Sequence, residues 1–147
     1  MAYFICPNCK RRSIDDDGRE GLTHQAVGCS SCGFGFLFEL LDDYYPGPAT
    51  AFVVCDRERR VLAAGRGVFE LTGWPERELI GRELGEALGL NGGDGPHPAD
   101  VALEWGVRRL DQKVALTTRT GVKKDVRADF FPAYDEDGGL LVAIAPR

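Results

Sequence analysis

Residues 51–84 read AFVVCDRERRVLAAGRGVFELTGWPERELIGREL, and their hydrophobic period changes several times within this one stretch. Residues 51–55 are an apolar run lying between Pro48 and the charges that begin at Asp56, the pattern of a strand. Residues 56–60 are polar and turn-like, and residues 60–64 return as a second strand, so the pair predicts a hairpin. Gly65 and Gly67 break the sheet pattern. Val68, Leu71 and Thr72 then follow at helical spacing, and Gly73 ends that helix because glycine accepts a left-handed cap at little cost. Pro75 opens a further short helix with Glu76, Glu78, Leu79 and Ile80, which Gly81 closes.

The remainder carries fewer, longer elements. NGGDGPHP at 91–98 holds too much glycine and proline for regular structure and reads as a loop. Residues 100–110 predict a helix with Val101, Ala102 and Trp105 on one face. Strands are predicted over 113–118, 122–131 and 139–145, with a tight turn at Thr120 and Gly121 and a last hairpin turn over 135–139. Leu140, Val142 and Ile144 alternate with the equally apolar Leu141 and Ala143, as in a central strand. Five antiparallel strands with short helices on one face make an α+β layer fold.

CDRERRVL, FELTGWPERELIGREL and PAYDEDGGLLVAIAP together resemble a PAS domain, over residues 46–147. The resemblance implies a sensory or signal-transducing module, often tied to transcriptional control. It also implies a small cavity between sheet and helices, lined here by Val53, Val61, Ala63, Phe69, Leu71, Trp105 and Phe130. These side-chain types equally build an ordinary core. The implied occupants of such a module are a protein partner, a second copy of the chain, or a small apolar ligand. Gly65 stands eight residues before Gly73, where many PAS domains carry Asn, so that polar group is absent. Heme-binding members place an axial His on the helix predicted at 100–110, whereas His97 lies off that pattern at its entrance. Flavin photoreceptors of this class need a Cys in a G-x-N-C-R-type helix motif, which the chain lacks. Neither heme nor flavin is expected, and Cys55, on the first strand, reads as a small buried hydrophobe.

The other four cysteines form two pairs, CPNC with Cys6 and Cys9, and CSSC with Cys29 and Cys32. Two C-x-x-C turns 19 residues apart are the sequence form of a four-thiolate zinc site. Each turn aims two sulfurs inward and leaves backbone N–H groups free to donate to them. Pro7 presets a turn dihedral in the first loop, and Gly33 follows the second. The arrangement looks like a zinc ribbon over residues 1–45, with closed structural Zn2+ coordination and no open position for chemistry. About 40 residues bury too little apolar surface to fold alone, and metal binding supplies the difference. Lys10, Arg11 and Arg12 offset the charge of the thiolates. Asp15, Asp16 and Asp17 read as a solvated hairpin turn, and His24 as a polar residue outside the ligand set.

Phe34, Phe36, Phe38 and Leu40 alternate as on a strand, yet Leu37 and Leu41 allow a short helix as well. Either way this segment is expected to pack between ribbon and PAS domain, ahead of a boundary at Pro46 and Pro48.

With 147 residues, 44% hydrophobic and 28% charged, the chain has room for one domain and a small module. A net charge of -5 disfavours nucleic acid and anionic membrane as unaided partners. No segment has the roughly 18 apolar residues of a membrane span, and the first residues lack a secretory pattern, so a cytoplasmic location is expected. His24 and His97 sit near no recognisable nucleophile motif, and no phosphate loop, phosphorylatable His domain or helix-turn-helix follows the last strand. The reading is therefore a non-enzymatic sensory or regulatory adaptor, with no catalytic residues. Two alternatives are a nucleic-acid- or polymerase-associated regulator acting through the ribbon, and a zinc–thiolate redox switch. Residues 1–45 hold four basic against seven acidic residues, which weighs against the first.

Overall fold

The computed structural model describes residues 2–9, 12–15, 38–40, 46–92, 95–132 and 139–146. Within them lie two antiparallel sheets. The smaller has the order β2-β1-β3, from β1 (Ala2–Ile5), β2 (Arg12–Asp15) and β3 (Phe38–Leu40). β1 runs into the CPNC turn and β2 leaves it, pairing Ala2 with Asp15 and Ile5 with Arg12. Residues 38–40 pair with β1, so this part of the ambiguous segment is strand. Asp15 closes β2, while Asp16, Asp17, His24, Cys29, Cys32, Phe34, Phe36, Leu37 and Leu41 lie outside the described residues.

The larger sheet comprises β4 (Ala51–Cys55), β5 (Val61–Ala64), β6 (Gly89–Asn91), β7 (Arg109–Thr117), β8 (Lys123–Pro132) and β9 (Leu140–Pro146). Its order is β5-β4-β9-β8-β7-β6, with every neighbouring pair antiparallel. Four helices interrupt it: α1 (Val68–Thr72), α2 (Glu76–Leu79), α3 (Leu84–Leu88) and α4 (Pro98–Trp105). Their apolar residues join one face of the sheet in a core with Val53, Val61, Leu116, Val126, Phe130 and Val142. The opposite face carries a second buried cluster without helical residues. This is the PAS-like arrangement expected. No described helix is long and apolar enough to cross a membrane.

Three expectations need correction. The sheet has six strands, not five: Gly89 and Asn91 pair with Leu116 and Ala115 across an irregular step. Leu90 between them turns into the core at φ 60, so the segment shows no alternation to read. The helix predicted at 100–110 is α4, which starts at Pro98 and stops where Gly106 takes a left-handed cap at φ 66. Residues 109 and 110 already belong to β7, which begins four residues before its predicted start. α3 adds a helix that the sequence pattern does not signal, and it starts where the Glu83 carboxylate accepts the Glu86 N–H at 2.8 Å.

Candidate functional site

β1 delivers the CPNC turn to a fixed place. Cys6 is fully buried, Cys9 is half-buried, and the Cys9 N–H donates to Cys6 Sγ at 3.4 Å. Such N–H···S bonds stabilise thiolates, and the turn brings two sulfurs into one loop, so the donor set fits one half of a tetrahedral zinc site. Among the described residues no three ligating side chains gather; Cys29 and Cys32 lie outside them.

The two residues between these cysteines meet the larger sheet's domain. Asn8 Oδ1 accepts the Arg66 N–H at 2.9 Å. The Pro7 carbonyl lies so close to Gly65 that a Cβ there would stand 2.2 Å from its oxygen and 2.9 Å from its carbon. Just before the turn, Ile5 is 1% exposed within the outer cluster of Phe52, Val54, Ala63, Phe131, Leu141 and Ala143. Burying Ile5 there is worth about 1.5–3 kcal/mol.

The seven residues predicted to line a cavity do not come together. Val53, Val61 and Phe130 lie in the inner core at 0–1% exposure, with Leu71 packed against them. Ala63 belongs to the opposite face, because a bulge shifts the pairing from Val54–Ala63 to Cys55–Val61. The extra residue reverses the parity of β5, so Val61 and Ala63 part despite their spacing. Phe69 is 56% exposed on α1, and Trp105 is 73% exposed at the end of α4. The buried stripe of α4 is Pro98, Ala99 and Ala102, with Leu103 beside it, and Trp105 sits about a quarter turn from its centre.

A surface groove of about 390 Å³ lies elsewhere, lined by Pro48, Ala49, Thr50, Arg66, Gly67, Glu70, Leu71 and Pro146. Of the seven predicted residues only Leu71 reaches it. Arg66, Asn8 and the Pro7 carbonyl are the contacts that sequence reasoning missed. The one signal for them was glycine at position 65, where many PAS domains carry Asn.

Cys55 and His97 are both committed to structure. Burial pushes the Cys55 thiol well above its ordinary value, Asp56 and Glu83 add to the rise, and Arg59 opposes it. Such a thiol stays protonated and is a poor nucleophile. His97 caps α4 by accepting the Ala99 N–H on Nδ1 at 3.1 Å. Its Nε2 meets the Gly89 carbonyl at 2.9 Å, which makes that nitrogen the N–H donor. Both ring nitrogens are engaged, and the ring edge packs against Phe130 at 6.0 Å.

No protein-family description matches the sequence, and no curated protein matches it. Solved structures do. The PAS domain of nitrogen regulation protein NR(II) from Vibrio parahaemolyticus superposes with a TM-score of 0.53 at 15% identity, covering 69% of this chain and 92% of that one. A fungal LOV-domain photoreceptor gives 0.60 at 16% identity, covering 74% and 80%. The light-state dimer of the fungal blue-light photoreceptor Vivid gives 0.56 at 13% identity, covering 71% and 82%.

Proposed function

We propose, from the PAS fold that the larger sheet and its helices adopt, that this chain is a non-enzymatic signalling adaptor. Its PAS domain works by contact with a protein partner or a second copy of itself, in a role tied to transcriptional or related regulation. Its N-terminal module is a zinc ribbon in which Cys6, Cys9, Cys29 and Cys32 hold one structural Zn2+. The observation that carries this reading is the docking of the CPNC turn, with its N–H···S bond, on Gly65 and Arg66 of a PAS-like fold.

Further features support it. Val53, Val61 and Phe130 are spent on tight packing, which favours recognition at the surface over a small molecule inside. Cys55 is buried and protonated, and His97 is occupied as a cap, which favours binding over chemistry. Vivid, a fold neighbour, forms a dimer in its light state, and that supports contact between copies as one mode open to such a sheet. When bound, zinc supplies a rigid cross-link between the two turns and no reactive position.

The test is cross-linking and affinity capture of the full chain from its own cell extract, with its stoichiometry measured in parallel by light scattering. The reading predicts a dimer or a stoichiometric protein partner. A chain that is monomeric and without a partner under both conditions contradicts it.

A further inference from the structure

Gly65 is not at positive φ, so the backbone does not demand glycine there. What demands it is space. Any side chain at 65 would drive its Cβ into the Pro7 carbonyl, with the Asn8 Cα at 3.2 Å behind it. A carbonyl in a turn has no rotamer to yield, so the backbone itself would have to shift. An Asn at 65, as many PAS domains have, cannot coexist with this loop. The next residue completes the contact, since the Arg66 N–H is donated to Asn8 Oδ1 at 2.9 Å.

Pro7 and Asn8 are also the two residues bracketed by Cys6 and Cys9. A metal held by those thiolates fixes the shape of the turn, and with it the positions of the Pro7 carbonyl and the Asn8 side chain. Upstream, Ile5 closes over the outer face of the sheet, where Phe52, Val54, Ala63, Phe131, Leu141 and Ala143 are at most 7% exposed. Ile5, next to the turn, is thus one of the residues that bury the β-sheet face opposite the helices.

We propose that the Cys6–Cys9 turn is a metal-gated latch: docked on Gly65 and Arg66, it holds Ile5 against the outer sheet face, and metal loss releases it. Occupancy of the cysteines is thereby converted into exposure of an apolar face of the PAS domain. The proposal rests on the zinc reading above and adds to it a contact that can fail on its own.

The Arg66 amide reports the latch directly, and a dye specific for exposed apolar surface reports the cover. Both are measured on the full chain, by hydrogen exchange and fluorescence, with zinc content determined alongside. Zinc-loaded wild type should protect the Arg66 amide and leave the dye dark. Chelation should speed exchange at Arg66 by about 10-fold while the β8 and β9 amides stay protected, and the dye should light. Gly65→Ala should give the same open behaviour with its zinc retained. Asn8→Ala, which tests the contact should Gly65→Ala fold poorly, should speed Arg66 exchange by about 5- to 10-fold. Arg66 protection and a dark dye unchanged in both variants would overturn the latch. A full chain that binds no zinc would overturn the gating through the metal reading, and the metal assay separates that failure from the first.

Discussion

At the scale of single residues, Cys55 and His97 show how a chemically capable group is put to structural use. Because burial raises the Cys55 pKa, the folded chain holds that proton where the unfolded chain has released it, above the ordinary thiol value of about 8.5. Its contribution is complete below that pH and declines above it, at up to about 1.4 kcal/mol per pH unit. Denaturant midpoints measured from pH 7 to pH 10 should therefore fall more steeply in wild type than in Cys55→Val. Equal slopes would show that the thiol is not desolvated. His97→Ala removes both the cap on Ala99 and the tie to Gly89, and should cost about 1–2 kcal/mol in the same assay. The sequence disclosed Cys55 as a buried hydrophobe, because an unpaired Cys inside an apolar strand has few other uses. It did not disclose His97, whose partner Gly89 is brought to it only by the irregular pairing of β6.

At the scale of elements, periodicity told most where two faces differ and least where a bulge or short helix breaks the count. β4 reads as an apolar strand and β9 as a central one because they are apolar at successive positions, and both are buried on both faces. The β5 bulge and the early stop of α4 are set by pairing and capping, and these sent Ala63 and Trp105 away from the place predicted for them, while Phe69 stands on the exposed side of α1. That difference is measurable. Phe130→Ala should cost about 3–5 kcal/mol, while Phe69→Ala should stay within about 0.5 kcal/mol. Comparable losses in thermal or denaturant unfolding would restore Phe69 to the core. β5, although an edge strand, has its outer backbone groups engaged. The Val61 N–H donates to the Arg82 carbonyl at 2.9 Å, the Gly81 N–H donates to the Val61 carbonyl at 2.8 Å, and the Ala64 N–H donates to Glu76 Oε2 at 2.8 Å. Glu76→Ala unpairs that last group on an exposed edge and should cost about 0.5–1.5 kcal/mol, read as a lowered unfolding midpoint.

At the scale of the molecule, the PAS fold was legible from glycine breaks, capped short helices and an apolar last strand, all of them local signals. The contact between the N-terminal turn and Gly65 was not, since nothing local links positions 58 residues apart. It surfaces only as a missing side chain. The whole account turns on the zinc proposed beside that contact, and native mass spectrometry of the full chain from its source tests it most directly. The predicted species is one zinc ion per chain, lost on replacing Cys6 or Cys29 with Ser, with the PAS sheet still folded. A chain that carries no metal, or one lighter by the hydrogens of disulfides joining these cysteines, would contradict it.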